Sequence, residues 1–256
     1  MSGAMEYRPI VPLSGADAAS RCAAFLCAYE QNARTAIRWA HPSWLASLLA
    51  IREDAAARLA ACVDLPAGHG RMDAVEACSS AMLRMLKLRM PTLDALSKPS
   101  VARLDALPPT LGLGVLRMRA LQFRRAELRR VIDRYNRTRL SEWLGIPLDR
   151  LTDISRATQE PSSAPDIARL AVKAAVPPLE TLDAEALALE GHALIKRDLG
   201  AAHSPCPLLR TVLPRESHAL YGQWLDTVAT SIDADGTAWL LANLGELLPE
   251  WAWLFG

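Results

Sequence analysis

"RMRALQFRRAELRRVIDRYNRTRLSEWLG", Arg117 to Gly145, decides how the rest of the chain is read. Between Arg117 and Glu142 nine arginines face only Glu127, Asp133 and Glu142, a local charge of +6, whereas the 256-residue chain as a whole carries +1. The remainder is therefore acidic, and position matters more than total charge. Leu116, Ala120 and Phe123 fall on one helical stripe. Leu128, Val131, Ile132 and Tyr135 fall on another, displaced from the first. Spacings of three and four predict helix, and the shift predicts a break near Arg124. The second arm is expected to bury its stripe and to present Arg130, Arg134 and Arg137 on the opposite side as candidate partner-binding residues. Three readings of them stay open: a solvated face balanced by acids elsewhere, a site for an acidic protein partner, or a helical nucleic-acid-binding regulator using the Arg-rich segment 117–139. Few interleaved aromatics and no helix-turn-helix pattern weigh against the last. A near-neutral total charge also gives no global pull toward nucleic acid or anionic membrane.

Working outward, the same period dominates and almost nothing alternates at period two. A helix is expected from near Ser14, where Ser-x-x-Asp resembles a capping box, to about Trp39. Leu45, Leu48, Leu49, Ala56, Leu59, Ala60 and Val63 predict one amphipathic helix over 43–64, with Ser43 capping its first turn. After "DLPAGHGR", Asp73 and Glu76 open a helix that turns Val75, Met82, Leu83 and Leu86 inward and that Pro91 stops. Residues 91–110, with four prolines, read as a connector. Further helices are expected at about 111–123, 126–145, 166–175, 183–199, 215–232 and 237–248. "PLLRTVLPR" at 207–215 is the one candidate extended segment, a short strand near 207–214 or a buried linker. The expectation is an all-α, irregular bundle of about nine helices in a single domain over 1–256, with a weak internal break at "EPSSAP", 160–165, and Met1 to Ala4 read as an expression scar.

With 51% apolar and 22% charged residues the chain can bury a sizeable core. Cys22, Cys27, Cys62, Cys78 and Cys206 form no Cys-x-x-Cys pair and read as small buried hydrophobes in a reducing cytoplasm. No signal peptide is visible at the N-terminus, and apolar runs such as Trp44 to Ile51 are far shorter than the roughly 20 residues of a membrane span.

Catalytic patterns are missing: no Gly-x-Ser-x-Gly, no His-Glu-x-x-His and no phosphate-binding Gly-x-x-x-x-Gly-Lys-Ser/Thr. "GLGVLR" from Gly112 lacks a third glycine and follows no strand, so it reads as a helix entry. His41, His69, His192, His203 and His218 have no metal spacing. Glu190, His192, Lys196 and Asp198 in "EGHALIKRDLG" read as a solvated helix face. The expectation is no enzyme, no metal, no cofactor and no small-molecule substrate. Four of seven tryptophans, Trp224, Trp239, Trp251 and Trp253, cluster near the C-terminus. "LLPEWAWLFG" either docks on its own domain or offers Trp251 and Trp253 as partner anchors.

Two blocks carry a resemblance. "LRMRALQFRRAELRRVIDRYNRTRLSEWLG" resembles the central segment of the SctK family, adaptors of the cytoplasmic sorting platform in bacterial type III secretion: Arg117, the turn at Phe123 to Arg125, the pair Arg129 and Arg130, and "LSEWLG" occupy its pattern. "EGHALIKRDLGAAHSPCPLLRTVLPR" resembles a later block of the family through Gly191, Cys206, Arg210, Leu213 and Pro214. Together they cover about a quarter of the chain, whose length resembles the Hrp-type branch of plant-associated bacteria more than the shorter animal-pathogen members. The resemblance implies a non-enzymatic, virulence-associated scaffold at the cytoplasmic face of the inner membrane. It would link the SctD inner-membrane ring protein to the C-ring-like SctQ, bind no nucleic acid and not insert into the membrane.

Overall fold

Apolar residues recur every three or four positions along the chain, and the backbone satisfies its own hydrogen bonds accordingly. The structure, a computed structural model, describes residues 18–63, 70–88, 91–92, 100–131, 133–158, 165–174, 176–215 and 228–255. All regular elements among them are helical. The N-terminal part holds α1 (Ala18–Arg34), α2 (Ala36–Trp39), α3 (Pro42–Leu49), α4 (Glu53–Val63) and α5 (Gly70–Met85). A 3-10 segment, Val101–Ala106, leads into α6 (Pro109–Phe123), α7 (Arg125–Leu128), α8 (Arg134–Leu144), α9 (Leu148–Thr158) and α10 (Ile167–Ala174). After a 3-10 turn at Leu179–Thr181 come α11 (Ala184–Asp198), α12 (Pro207–Arg210) and α13 (Gly236–Leu247), then the 3-10 turn Pro249–Trp251 and α14 (Ala252–Phe255). The all-α class is as expected. Ten of these helices have eight residues or more, against the nine expected, and four are single turns.

α6 organises the packing. It is buried on every side, which is why its apolar periodicity is weak: Val115, Leu116, Ala120, Leu121 and Phe123 are all fully buried. Pro109 starts it at a position that needs no N–H. α11 lies along it more closely than any other element. Gly191 permits that approach, because a Cβ there would sit 1.7 Å from the Leu116 carbonyl oxygen. Gly114 does the same for α8, where a Cβ would meet the Leu144 carbonyl oxygen at 2.4 Å. The "GLGVLR" glycines are therefore contact positions of a buried helix. Around this pair, α1 covers the 3-10 segment and α5, and α3 folds back on α4. A smaller apolar cluster joins Phe123 and Leu194 to Ile167, Leu170 and Val176.

Several boundaries differ from expectation. The helix over 43–64 is two, because Ala50 turns left-handed (φ 51°) and the Ile51 N–H closes on the Ala46 carbonyl. The apolar spacing skips residues 52 and 53, which the turn leaves outside. His41, not Ser43, caps α3: its Nδ1 accepts from the Ser43 N–H at 3.2 Å. The Ser43 hydroxyl instead accepts from the Arg215 N–H at 2.9 Å. The first helix breaks at Thr35, and its expected start at Ser14 lies outside the described residues. α5 begins at Gly70, earlier than Asp73, and ends before Pro91, where Lys87 turns left-handed (φ 54°). Within the supposed connector, α6 already starts at Pro109.

The expected extended segment at 207–214 is wrong. Residues 207–210 form a helical turn, with Pro207 in its first position and the Asp105 carboxylate accepting from the Leu209 and Leu208 N–H groups at 2.8 and 3.3 Å. The cysteines are also not uniformly buried: Cys206 is, Cys22 is half-buried, and Cys27, Cys62 and Cys78 are exposed. The loop at 64–69, most of the 160–165 linker, the bulk of the 215–232 helix, and Trp224, His69, His218 and Ile132 lie outside the described residues.

Candidate functional site

The arginine run divides at Arg124 into an inward half and an outward half. The inward half is an ionic frame. Arg117 donates to the carbonyls of Ala184 at 2.8 Å and Trp143 at 2.7 Å, tying the start of α11 to the end of α8. Burial lowers its pKa, and nearby Asp183 opposes that only in part. Arg119, fully buried, donates to Asp198 at 2.7 Å and Asp233 at 2.7 Å, while Thr237 donates to Asp198 at 2.6 Å. Arg125 reaches the other Asp233 oxygen at 2.7 Å, and Arg197 pairs with Asp198 at 2.8 Å. Asp233 thus joins two arginines from a left-handed backbone position (φ 58°). A Cβ at Gly236 would collide with Arg119 at 2.4 Å, so the glycine clears room for the guanidinium.

Arg124 makes a second cluster. It grips Glu190 with two bonds of 2.6 and 2.7 Å, and also reaches Glu127 at 2.9 Å and the Pro177 carbonyl at 2.8 Å. Both Arg124 and Glu190 are fully buried. Burial pulls the Arg124 pKa down, but Glu190 and Glu127 outweigh it and raise it; burial lifts the Glu190 carboxyl above its usual range against the opposing pull of Arg124, and the two short bonds are what hold the pair together. The solvated-face reading of Glu190, His192 and Asp198 is corrected accordingly. Glu190 and His192 are buried, and the Asp198 carboxylate is 2% exposed.

Asp105 is buried at the start of α12 with Tyr29 and Cys206 nearby. Burial lifts its pKa to about 7, against two backbone hydrogen bonds from Leu209 and Leu208 that lower it. Arg210 donates to the carbonyls of Leu213 at 3.0 Å and Pro214 at 2.7 Å and lies over the Trp44 ring. The block 207–215 therefore clasps the start of α3.

The outward half begins after α7. The apolar stripe does not continue: Leu128 is buried, Val131 is half-buried, and Tyr135 is 75% exposed. The cause is Asp133, whose carboxylate accepts from the Asn136 N–H at 2.8 Å and starts α8 in a new register, with Leu140 and Leu144 as the buried residues. Arg129, Arg130 and Arg134 stand exposed on this corner, and none has an ion pair among the described residues. Arg137 is half-buried and pairs with Asp149, so it is committed within the chain. Arg139 lies 4.9 Å over the Trp143 ring.

The two tryptophans of the C-terminal segment differ in burial. Trp251 is 4% exposed and packs in the core with Leu254 and Phe255, so the tail docks on its own chain and the Trp251 ring is covered by it. Arg103 fixes it by donating to the Leu254 carbonyl at 2.6 Å. Trp253 is half-buried, stacked obliquely on Trp251 at 6.1 Å. The sequence pattern places Arg130 and Arg134 on the surface, where they stand, but does not reveal Arg119, Arg124 and Arg125 as frame residues. The only signal for these was the acidic remainder of the chain, which includes Glu190, Asp198 and Asp233.

An all-α chain with this arrangement presents charge through a few exposed arginines while most of the run is used internally, and no helix among the described residues is long and apolar enough to cross a membrane. The class it falls in is that of bacterial type III secretion proteins. The chain belongs to the family described as Bacterial type III secretion protein (HrpB4), which it matches over residues 16–250. The secretion-system membership inferred from the two sequence blocks, and the Hrp-type branch inferred from the chain's length, are thus borne out. No curated protein and no solved structure matches the chain.

Proposed function

We propose that the chain is a non-enzymatic adaptor of the type III secretion sorting platform. In this reading it joins the cytoplasmic domain of the inner-membrane ring protein SctD to the C-ring-like SctQ at the cytoplasmic face of the inner membrane. The observation that carries the reading is the family match over nearly the whole chain, which meets the SctK-like blocks at Arg117–Gly145 and Glu190–Arg215. The exposed, uncommitted Arg129, Arg130 and Arg134 suit an acidic protein surface. Nucleic-acid binding by the segment 117–139 is disfavoured, because Arg119, Arg124 and Arg125 are buried against carboxylates and cannot reach phosphates. The test is co-purification of the tagged chain with SctQ and with the SctD cytoplasmic domain, singly and together. A ternary complex supports the adaptor reading, and failure to hold either partner overturns it.

A further inference from the structure

Between α3, α4 and α5 lies an open groove of about 280 Å³. Leu48 and Leu49 line it from α3, Leu59 from α4, and Cys78, Met82 and Met85 from α5. The α5 residues repeat at i, i+4, i+7, which is the stripe a helix turns toward another helix. Leu49, Leu59 and Met85 are 49%, 49% and 53% exposed, three of the five large apolar side chains that stand out among the described residues. Such convergence marks an interaction site, and methionine lets it adapt to the side chains it receives. Its walls are helices whose backbone groups are already paired, so a strand cannot be added to them and the missing element is a helix.

Charge selects among helices. Arg84 and Lys87 flank Met85 in sequence, are exposed and hold no ion pair among the described residues. Arg52 and Arg58, 81% and 72% exposed, share the single carboxylate of Asp54. Among the described residues where α3 turns into α4, Glu53 and Asp54 are the acids beside Arg52 and Arg58, and the last turn of α5 around Arg84 and Lys87 carries none. A second copy of the chain would set cationic rim against cationic rim. We propose that the groove docks an amphipathic helix of a partner protein, its apolar face seated on Leu49, Leu59 and Met85 and its flanks acidic. The proposal goes beyond the adaptor reading and does not depend on the identity of the platform partners.

The test uses the full chain and a fluorescein-labelled helical peptide of about 18 residues, with leucine at i, i+3, i+4, i+7 and i+11 and glutamate on its flanks. A second peptide carries lysine in place of glutamate, and anisotropy reads both. The acidic peptide is expected to bind saturably and to lose at least about tenfold in affinity with Leu59→Glu, and independently with Met85→Glu. Both positions are half exposed, so the variants should keep the parent melting temperature. Arg84→Glu with Lys87→Glu should shift preference toward the lysine peptide by about fivefold or more. No binding of the acidic peptide, equal binding of the lysine peptide, or indifference to both groove variants overturns the proposal. So does sedimentation showing a dimer that Leu59→Glu dissolves, which would assign the groove to a second copy. Binding seen only after removal of residues 1–17 overturns it too, by assigning the groove to the chain itself. None of these outcomes touches co-purification with SctQ and SctD.

Discussion

Replacing Arg124 by methionine should be among the most damaging single changes in the protein, and removing its partner as well should repair much of the harm. Arg124 and Glu190 are both fully buried and share two charged hydrogen bonds of 2.6 and 2.7 Å. Arg124→Met leaves the Glu190 carboxylate without a cation in a place water does not reach. Orphaning one member of such a pair costs about 3–5 kcal/mol. In a chain of this size each kcal/mol moves the melting temperature by about 2–4 °C, so a drop of about 6–20 °C is expected. The loss has a ceiling, since Glu190 can take up a proton instead, and the deficit should therefore shrink in acid. Arg124→Met with Glu190→Leu replaces the pair by apolar side chains, a change that is often close to neutral for a buried ion pair. Urea denaturation followed by tryptophan fluorescence and circular dichroism gives the single and double changes. Arg130→Met, on the exposed arm, serves as the control and should stay within about 0.5 kcal/mol of the parent. An Arg124→Met loss below about 1 kcal/mol, or a double variant no more stable than the single one, would refute the ionic-frame reasoning.

Gly191→Ala should lower stability by about 1–3 kcal/mol or more, despite the helix propensity it gains, because its Cβ would sit 1.7 Å from the Leu116 carbonyl oxygen; thermal denaturation against Gly200→Ala, which has open space and only a left-handed backbone to strain (φ 57°), isolates the contact. Asp105, with a folded pKa of about 7 against an ordinary 3.9, keeps in the native state a proton that the unfolded chain releases. Its contribution is complete below the unfolded pKa and is lost as pH rises from about 4 through 7, by ~4 kcal/mol, and Asp105→Asn should flatten that slope in a pH series of urea titrations. Trp251→Ala should cost about 3–5 kcal/mol by calorimetry, as a core residue does, whereas a residue displayed for a partner would leave stability unchanged.

The helical class was legible because periods of three and four residues survive along the chain whatever the tertiary context. Where helices stop was less legible. The break at Ala50 is a left-handed alanine that periodicity does not signal, and the start of α8 at Asp133 was a local cap overridden by an apparent stripe through Tyr135. The helical turn at 207–210 depends on Asp105, about a hundred positions earlier, so Thr and Val in the surrounding segment pointed to extended backbone instead. The same distance hides the ionic frame. Arg119 and Arg124 look like surface residues until α11 and the turn at Asp233 bring carboxylates to them. Arg130 and Arg134 were legible as surface because both stand exposed at the corner between α7 and α8.

One arginine run does two jobs in this reading: Arg117, Arg119, Arg124 and Arg125 hold the fold, and the exposed Arg129, Arg130 and Arg134 are left to meet an acidic partner. Affinity of the purified chain for SctQ and for the SctD cytoplasmic domain, measured by isothermal titration for the parent and for Arg130→Glu with Arg134→Glu, tests it most directly when paired with the melting temperature of each. A loss of at least about tenfold for one partner, with the melting temperature unchanged, is expected. Unaltered affinity for both partners, or a loss of affinity that comes with a loss of fold, would contradict it.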